Sequence, residues 1–356
     1  MQNIRTEVIV VDPVYPEPSV IGRAATLLHD GEIVVFPTET VYGLGADAFQ
    51  PAALERIFVA KGRPFSDPLI VHIAEERTLE LLTTSIPEQA KRLTQAFWPG
   101  PLTLILPRGP HVPHLVTAGL ETVAIRMPRH AVALALIRAL GSPIAAPSAN
   151  RFMHISPTTA QHALVDLAGR VPLILDAGPC EVGVESTVLD LCSDVPRILR
   201  PGGVSLEALR KVLPDVQPPM RSKKASENED IVAKKAPGQL VTHYAPTVPL
   251  LLFDGAVEAI RASMLAEVQR RCAQGECVGV LVADEDVHVF SESGALIYAL
   301  GSADEPVEIA AKLFAGLRAL EEAHVQVILC RNFGEQGLGL AIRDRLLKAA
   351  GGKVFG

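Results

Sequence analysis

A chain of 356 residues that is 48% apolar is long enough for roughly two domains, each with its own core. A formal charge of -7 argues against a surface coated in nucleic acid, which needs clustered Lys and Arg, and one Trp with four Tyr leaves little material for base-stacking platforms. No apolar stretch reaches the ~20 residues of a membrane span, the first residues carry acids and prolines, and the five cysteines lack C-x-x-C spacing, so a cytoplasmic protein with reduced thiols is expected.

The first two hundred residues alternate β-branched runs with amphipathic stretches. Strands are predicted over 33–36, 69–73, 103–106, 123–126, 144–146 and 173–175, with helices over 53–60 and 131–140 among them. Two more strands, 187–191 and 197–199, follow too closely for a crossover helix, so the sheet should be mixed. From about 217 to 239 the pattern stops at Pro218 and Pro219 and gives way to the polar run 221–230, which reads as an interdomain linker. Beyond Pro249 strands over 250–253, 278–283, 295–300 and 325–330 alternate with helices over 256–271, 307–322 and 341–350, the rhythm of a small parallel, doubly wound domain.

The chain contains neither a G-x-x-x-x-G-K-[ST] loop nor a G-x-G-x-x-G after a strand, so any ATP site is of another kind. Gly43 and Gly45, like the glycines of 334–339, read as tight turns. Polar residues instead collect at strand ends, where α/β proteins place ligands. Segment 37–45 follows the first predicted strand and reads on its own as a polar turn; Lys61 and Arg63 close a helix, where capping charges are ordinary. Arg126 interrupts an apolar strand and demands an anion, either an internal Asp or Glu or a bound carboxylate. Segment 145–150 runs into Ser156-Pro157, a normal N-cap that is also a natural phosphate site. Glu185-Ser186-Thr187, Arg200-Pro201-Gly202 and His243-Tyr244 complete the set. Four cations among many hydroxyls suit carboxylate and phosphate ligands, and neither a Ser-His-Asp triad nor an H-E-x-x-H pair is visible.

These segments, with Trp98 to Thr103, resemble in order those of the two-domain L-threonylcarbamoyladenylate synthases, and 337–342 with Arg345-Leu346 resembles that family's C-terminal domain. The resemblance covers nearly the whole chain. It implies an α/β fold in which a YrdC-like twisted mixed open sheet with a cleft is followed by a smaller Rossmann-like parallel domain. The corresponding division is 1–216 for the catalytic domain, 217–247 for a linker folding over the active site, and 248–356 for the C-terminal domain. It implies formation of threonylcarbamoyl-AMP and pyrophosphate from L-threonine, bicarbonate and ATP, for modification of the tRNA adenosine beside the anticodon. By motif position, Thr40, His72, Arg126, Ala146 and Ser186 would line the threonine pocket, and Arg63, Asp67, Thr122, Ser148, Ser156, Arg200 and Tyr244 would contact ATP. Lys61, Arg63, Ser148 and Asn150 would border the reacting centre. Mg²⁺ is expected with ATP, held by phosphates and water without a protein metal site, and a downstream threonylcarbamoyl transferase is the expected partner, with at most a weak tRNA contact and no membrane.

Two positions depart from the family pattern. Asp67 stands where asparagine is usual, and 151–155 replaces a Ser-Gly-containing loop. An RNA-binding module without turnover is the alternative reading, against which the acidic charge counts. A carbamoyltransferase of the hydrogenase-maturation type would need acylphosphatase and zinc-finger modules that are not visible here.

Overall fold

The computed structural model describes residues 4–220 and 244–355. The polar run 221–230, His243 and most of the expected linker lie outside the described residues. Two compact units are present: one comprises Met1–Phe152, Ser156–Glu181 and Glu185–Gln239, the other Met153–Ile155, Val182–Val184 and Leu240–Gly356.

In chain order the strands of the first unit are β1 (Glu7–Val10), β2 (Val34–Phe36), β3 (Gly43–Asp47), β4 (Ile70–His72), β5 (Leu102–Pro107), β6 (Thr122–Arg126), β7 (Ile144–Ala146), β8 (Leu173–Asp176), β9 (Thr187–Asp190) and β10 (Arg197–Arg200). Its helices are α1 (Pro18–His29), α2 (Pro51–Lys61), α3 (Leu79–Leu82), α4 (Glu88–Phe97), α5 (His114–Thr117), α6 (Ala131–Leu140), α7 (Ala160–Leu167) and α8 (Leu206–Val212). The strands form one ten-stranded sheet in the order β1-β8-β2-β3-β7-β4-β6-β5-β9-β10. The sheet mixes parallel pairs such as β4 with β6 and antiparallel ones such as β9 with β10, the latter as the short connection between the last two strands required. The central strands are buried on both faces, which explains their continuous apolar runs. One face packs Val35, Leu44, Val71, Leu104 and Ile125 into the larger core; the other packs Val34, Phe36 and Ile144 against α1 and α6.

The expectation for 37–45 is corrected at its end. Gly43 and Gly45 do not turn the chain: they lie within β3, antiparallel to β2, with Phe36 opposite Gly43 and Val34 opposite Gly45. Glycine is required at 45 because a Cβ there would come within 2.7 Å of Ile144 and 2.8 Å of the Phe36 ring. By contrast, Gly334 and Gly337 do adopt positive φ, at 94° and 58°, as turn glycines. Strand β1 did not stand out in the sequence, because it is an edge strand with mostly exposed side chains and no alternation marks it; α1 was passed over although Ile21, Ala24, Ala25 and Leu28 recur at helical spacing and form its buried stripe.

The second unit holds β11 (Leu250–Phe253), β12 (Val278–Val282), β13 (Leu296–Ala299), β14 (Val327–Arg331) and β15 (Val354–Phe355), with α9 (Val257–Ala273), α10 (Val287–Phe290), α11 (Pro306–Glu322) and α12 (Gly339–Ala349). Its five strands run β13-β12-β14-β11-β15, and every pair is parallel, giving the Rossmann-like sheet expected from strands alternating with long helices. Buried Asp286 ties this sheet to a helix, pairing with Arg331 of β14 at 2.6 Å and Arg261 of α9 at 2.6 Å. Part of the 151–155 segment belongs here: the Met153 carbonyl accepts from Ala245 N at 3.0 Å, and that of Ile155 accepts from Arg318 of α11.

Candidate active site

Strand ends in the first unit place two groups of charged and hydroxyl side chains. The first collects around Arg126, the last residue of β6, which is 3% exposed. In register it sits beside His72 of β4 and Thr103 of β5. Its Nη1 donates to Thr40 Oγ1 at 2.9 Å and its Nε to the Gly100 carbonyl at 3.3 Å, while Nη2 lies 2.7 Å from Glu39 Oε1. Of the two anions weighed for this arginine, the structure supplies the internal one, Glu39. Thr38 organises the turn that presents both residues: its hydroxyl donates to the Val41 carbonyl at 2.6 Å, lies 2.9 Å from Thr40 Oγ1 and accepts from Val41 N at 3.2 Å.

His72 Nδ1 is 3.1 Å from the Ile70 carbonyl. Burial, with the nearby Arg126 charge, pushes its pKa down to about 3, so at neutral pH the ring is an uncharged polar wall. Ser186 joins the same group from the residue just before β9. Its hydroxyl is 2.8 Å from that of Thr103, and Arg200, at the end of β10, donates to its carbonyl at 3.0 Å and to its hydroxyl at 3.1 Å. Gly202 lets the following turn close on this segment, since a Cβ there would lie 2.2 Å from the Glu185 carbonyl oxygen.

The second group centres on the end of α2. Lys61 is buried, and the bland reading of a helix-capping cation is corrected, because its Nζ leaves the helix to donate to the carbonyls of Ser148, at 2.6 Å, and of Asn150. Asn150 Oδ1 stands 3.5 Å away and accepts from Ser148 Oγ. Burial above all, helped by Arg63, holds the Lys61 pKa well below the ordinary lysine value. The helix itself is capped by Gly62 in the left-handed conformation. Arg63 turns back through its Nη2, which is 3.0 Å from Asp67 Oδ2 and 2.7 Å from the Pro68 carbonyl. The unusual acid at 67 is therefore the counter-ion of Arg63, a role that asparagine could not fill.

Main-chain bonds hold the two groups in one frame. Tyr42 N donates to the Pro157 carbonyl and the Tyr42 carbonyl accepts from Ala149 N, so the segments carrying Thr40, Ser148 and Ser156 are laced together. Ser156 Oγ donates to buried Glu185 next to Ser186. Ala146 closes β7, paired with Ile70. Thr122 opens β6 and lies on the same face as Arg126, but four residues of strand, ~13 Å, separate them. Tyr244 lies in the second unit, its ring stacked on Phe314 at 5.6 Å and beneath the Arg345 guanidinium at 4.9 Å. Sequence reasoning passed over Glu39 and Thr103. The signal for Glu39 was present as a carboxylate set between two threonines directly after an apolar strand.

Residues 26–202 match the Sua5_yciO_yrdC family, described as Telomere recombination, and residues 204–351 match the family described as Threonylcarbamoyl-AMP synthase, C-terminal domain. The chain belongs to the two-domain Sua5 family. A Threonylcarbamoyl-AMP synthase of Bacillus subtilis (strain 168) is 46% identical over 356 residues, which is 100% of both chains. One of Pyrococcus abyssi (strain GE5 / Orsay) is 43% identical over 94% of this chain and 95% of that one. The crystal structure of P. abyssi Sua5 complexed with L-threonine is similar at a TM-score of 0.90 and 41% identity, covering 98% of this chain and 99% of that chain. The sequence-level resemblance and both parts of the expected Sua5 fold are thereby borne out.

Proposed function

We propose that this chain is an L-threonylcarbamoyladenylate synthase, a nucleotidyltransferase that makes threonylcarbamoyl-AMP and pyrophosphate from L-threonine, bicarbonate and ATP for tRNA modification. The observation that carries this reading is the pairing of two buried cationic groups in one frame, Arg126 with Thr40 and Lys61–Arg63 with Ser148 and Asn150. All three reactants are anionic or zwitterionic, and two cationic seats can hold a carboxylate and a triphosphate side by side. Bicarbonate loses water to give carbon dioxide, and the threonine nitrogen forms the N–C bond to it as the ammonium gives up two protons, one consumed in that dehydration and one released to solvent. A carbamate oxygen then bonds to the α-phosphorus as the bond to the β-phosphate oxygen breaks. Catalysis rests on positioning and charge neutralisation and needs no protein nucleophile.

In this reading Arg126 and Thr40 receive the threonine carboxylate, with His72, Ala146 and Ser186 around it, and Arg63, Thr122, Ser148, Ser156 and Arg200 serve ATP, while Asp67, placed in the ATP set by the resemblance, is the resting counter-ion of Arg63. Tyr244 belongs to the ATP set on the resemblance alone, as does closure of the site by linker 217–247. Mg²⁺ enters with ATP on phosphate and water oxygens. No helix among the described residues is long and apolar enough to cross a membrane, and a cytoplasmic location with a downstream transferase partner completes the proposal.

Mass spectrometry of the protein incubated with threonine, bicarbonate, Mg²⁺ and ATP tests it. A threonylcarbamoyl-AMP mass that vanishes when any one substrate is omitted is expected; folded protein that yields none, yet binds tRNA in a salt-sensitive way, would move the assignment to an RNA-binding module.

The Arg63–Asp67 pair has a kinetic consequence. A phosphate approaching Arg63 meets the Asp67 carboxylate already seated 3.0 Å from it. Asp67→Asn removes that competitor, so the KM for ATP should fall roughly tenfold at saturating threonine. A KM that rises instead would mean that Asp67 orients Arg63 rather than competing for it.

A further inference from the structure

Glu39 carries a buried charge that the site described so far leaves half-used. It is 2% exposed, its Oε1 lies 2.7 Å from Arg126 Nη2, and yet neither of its carboxylate oxygens accepts a hydrogen bond and that Nη2 donates none. An ionised carboxylate offers about four lone-pair sites, and burying it without donors is costly. The other titratable groups that sense its charge are His130, at the N-cap of α6, and Cys180, in the segment after β8. Burial pushes His130 down and the Cys180 thiol up, which favours the uncharged form of each, so neither offsets the Glu39 charge. Glu39 and Arg126 thus form an opposed pair of charges with spare hydrogen-bonding capacity, joined at Arg126 to the Thr40 hydroxyl.

An α-amino acid carries the complementary pair, a carboxylate and an ammonium on one carbon. We infer that Glu39 is the counter-ion of the substrate's α-ammonium, and that its contact with Arg126 stands in for a bound zwitterion. When the amino acid enters, its carboxylate replaces Glu39 on Arg126, next to the Thr40 hydroxyl, and its ammonium supplies the donors that the Glu39 oxygens lack. Two charges are added to two, and the net charge of the buried site does not change. The inference deepens the proposed function and rests on its assignment of Arg126 to the substrate carboxylate. It also accounts for selectivity: a carboxylate without an amine must displace Glu39 and leave it with no partner.

Calorimetric binding to the full chain, without ATP or bicarbonate, tests this with two ligands, L-threonine and its deaminated analogue β-hydroxybutyrate. In Glu39→Gln, threonine should bind at least ~30-fold more weakly than in the wild type, while β-hydroxybutyrate binds equally or more tightly because its competitor is gone. Glu39→Asp, which keeps the charge, should fall between wild type and Gln for threonine. Parallel weakening of both ligands would reduce Glu39 to a structural support and overturn the inference, as would unchanged threonine binding. Should Glu39→Gln not fold, the wild type decides: threonine must outbind β-hydroxybutyrate by a similar factor, and near-equal affinities overturn the assignment. A wild type that binds threonine with this selectivity but forms no threonylcarbamoyl-AMP would remove the proposed activity and leave the Glu39 assignment standing.

Discussion

Replacing Arg126 with alanine is expected to lower kcat/KM for threonine by about a thousandfold in a pyrophosphate-release assay. The guanidinium is buried, braced by the Gly100 carbonyl and aligned on the Thr40 hydroxyl, so no other cation among its described hydrogen-bond partners could take its place. Losing a desolvated, fork-shaped partner for a carboxylate costs about 4 kcal/mol, which is that factor in rate. The same substitution strands Glu39 without its counter-ion, so part of the loss could come from an altered fold. Arg126→Lys separates the two effects. It keeps the charge beside Glu39 but cannot reproduce the planar fork, and a loss of roughly tenfold to a hundredfold is expected with thermal unfolding little changed. Wild-type turnover in folded Arg126→Ala would sink the assignment of this arginine to the substrate carboxylate.

Lys61→Met should reduce kcat by at least ~100-fold while leaving threonine affinity, measured without ATP, close to that of the wild type. Methionine keeps the apolar stem packed in the core and removes only the ammonium that joins α2 to the Ser148 and Asn150 carbonyls. The three acceptors around Nζ match the three donors of the charged form. Burial nevertheless lowers its pKa, so the charge is lost at a lower pH than for an ordinary lysine. If the charged form supports turnover, kcat should decline on an alkaline limb below pH 10.5, the ordinary lysine value, and that limb should be missing from the residual activity of Lys61→Met. An equal rise in the threonine dissociation constant would instead assign Lys61 to holding the amino-acid pocket.

In both predictions the decisive feature is a cation whose partner comes from far along the chain. The residue types were legible early. An arginine ending the strand run Val123, Ala124, Ile125 had to meet an anion, and its presence in the sequence was enough to mark the position. Which anion met it was not legible, because Glu39 and Arg126 are 87 positions apart and only the pairing order β2-β3-β7-β4-β6 brings their strand ends together. Lys61 carried a pattern that fitted helix capping equally well. Only the tertiary placement of 148–150 over the end of α2 distinguished a bridge from a cap.

The amino-acid sequence by itself determined the class of the fold, because the period of apolar residues decides locally whether a segment buries a stripe or two faces. The runs at 144–146 and 250–253 became strands with those bounds, and 131–140 became a helix with its own. It also determined that the first sheet is mixed, since the connection between β9 and β10 is too short to cross over. Tertiary structure decided what local patterns could not encode. It made strand residues of Gly43 and Gly45, the second at a point where Phe36 and Ile144 leave no room for a side chain, and it placed Met153–Ile155 with the second unit. It also gave Arg126 its carboxylate partner, Glu39, from 87 positions away. The physical reason is that a buried charge is stabilised by whichever opposite charge the packed backbone delivers within about 3 Å, and that proximity is a property of the folded chain rather than of any window of its sequence.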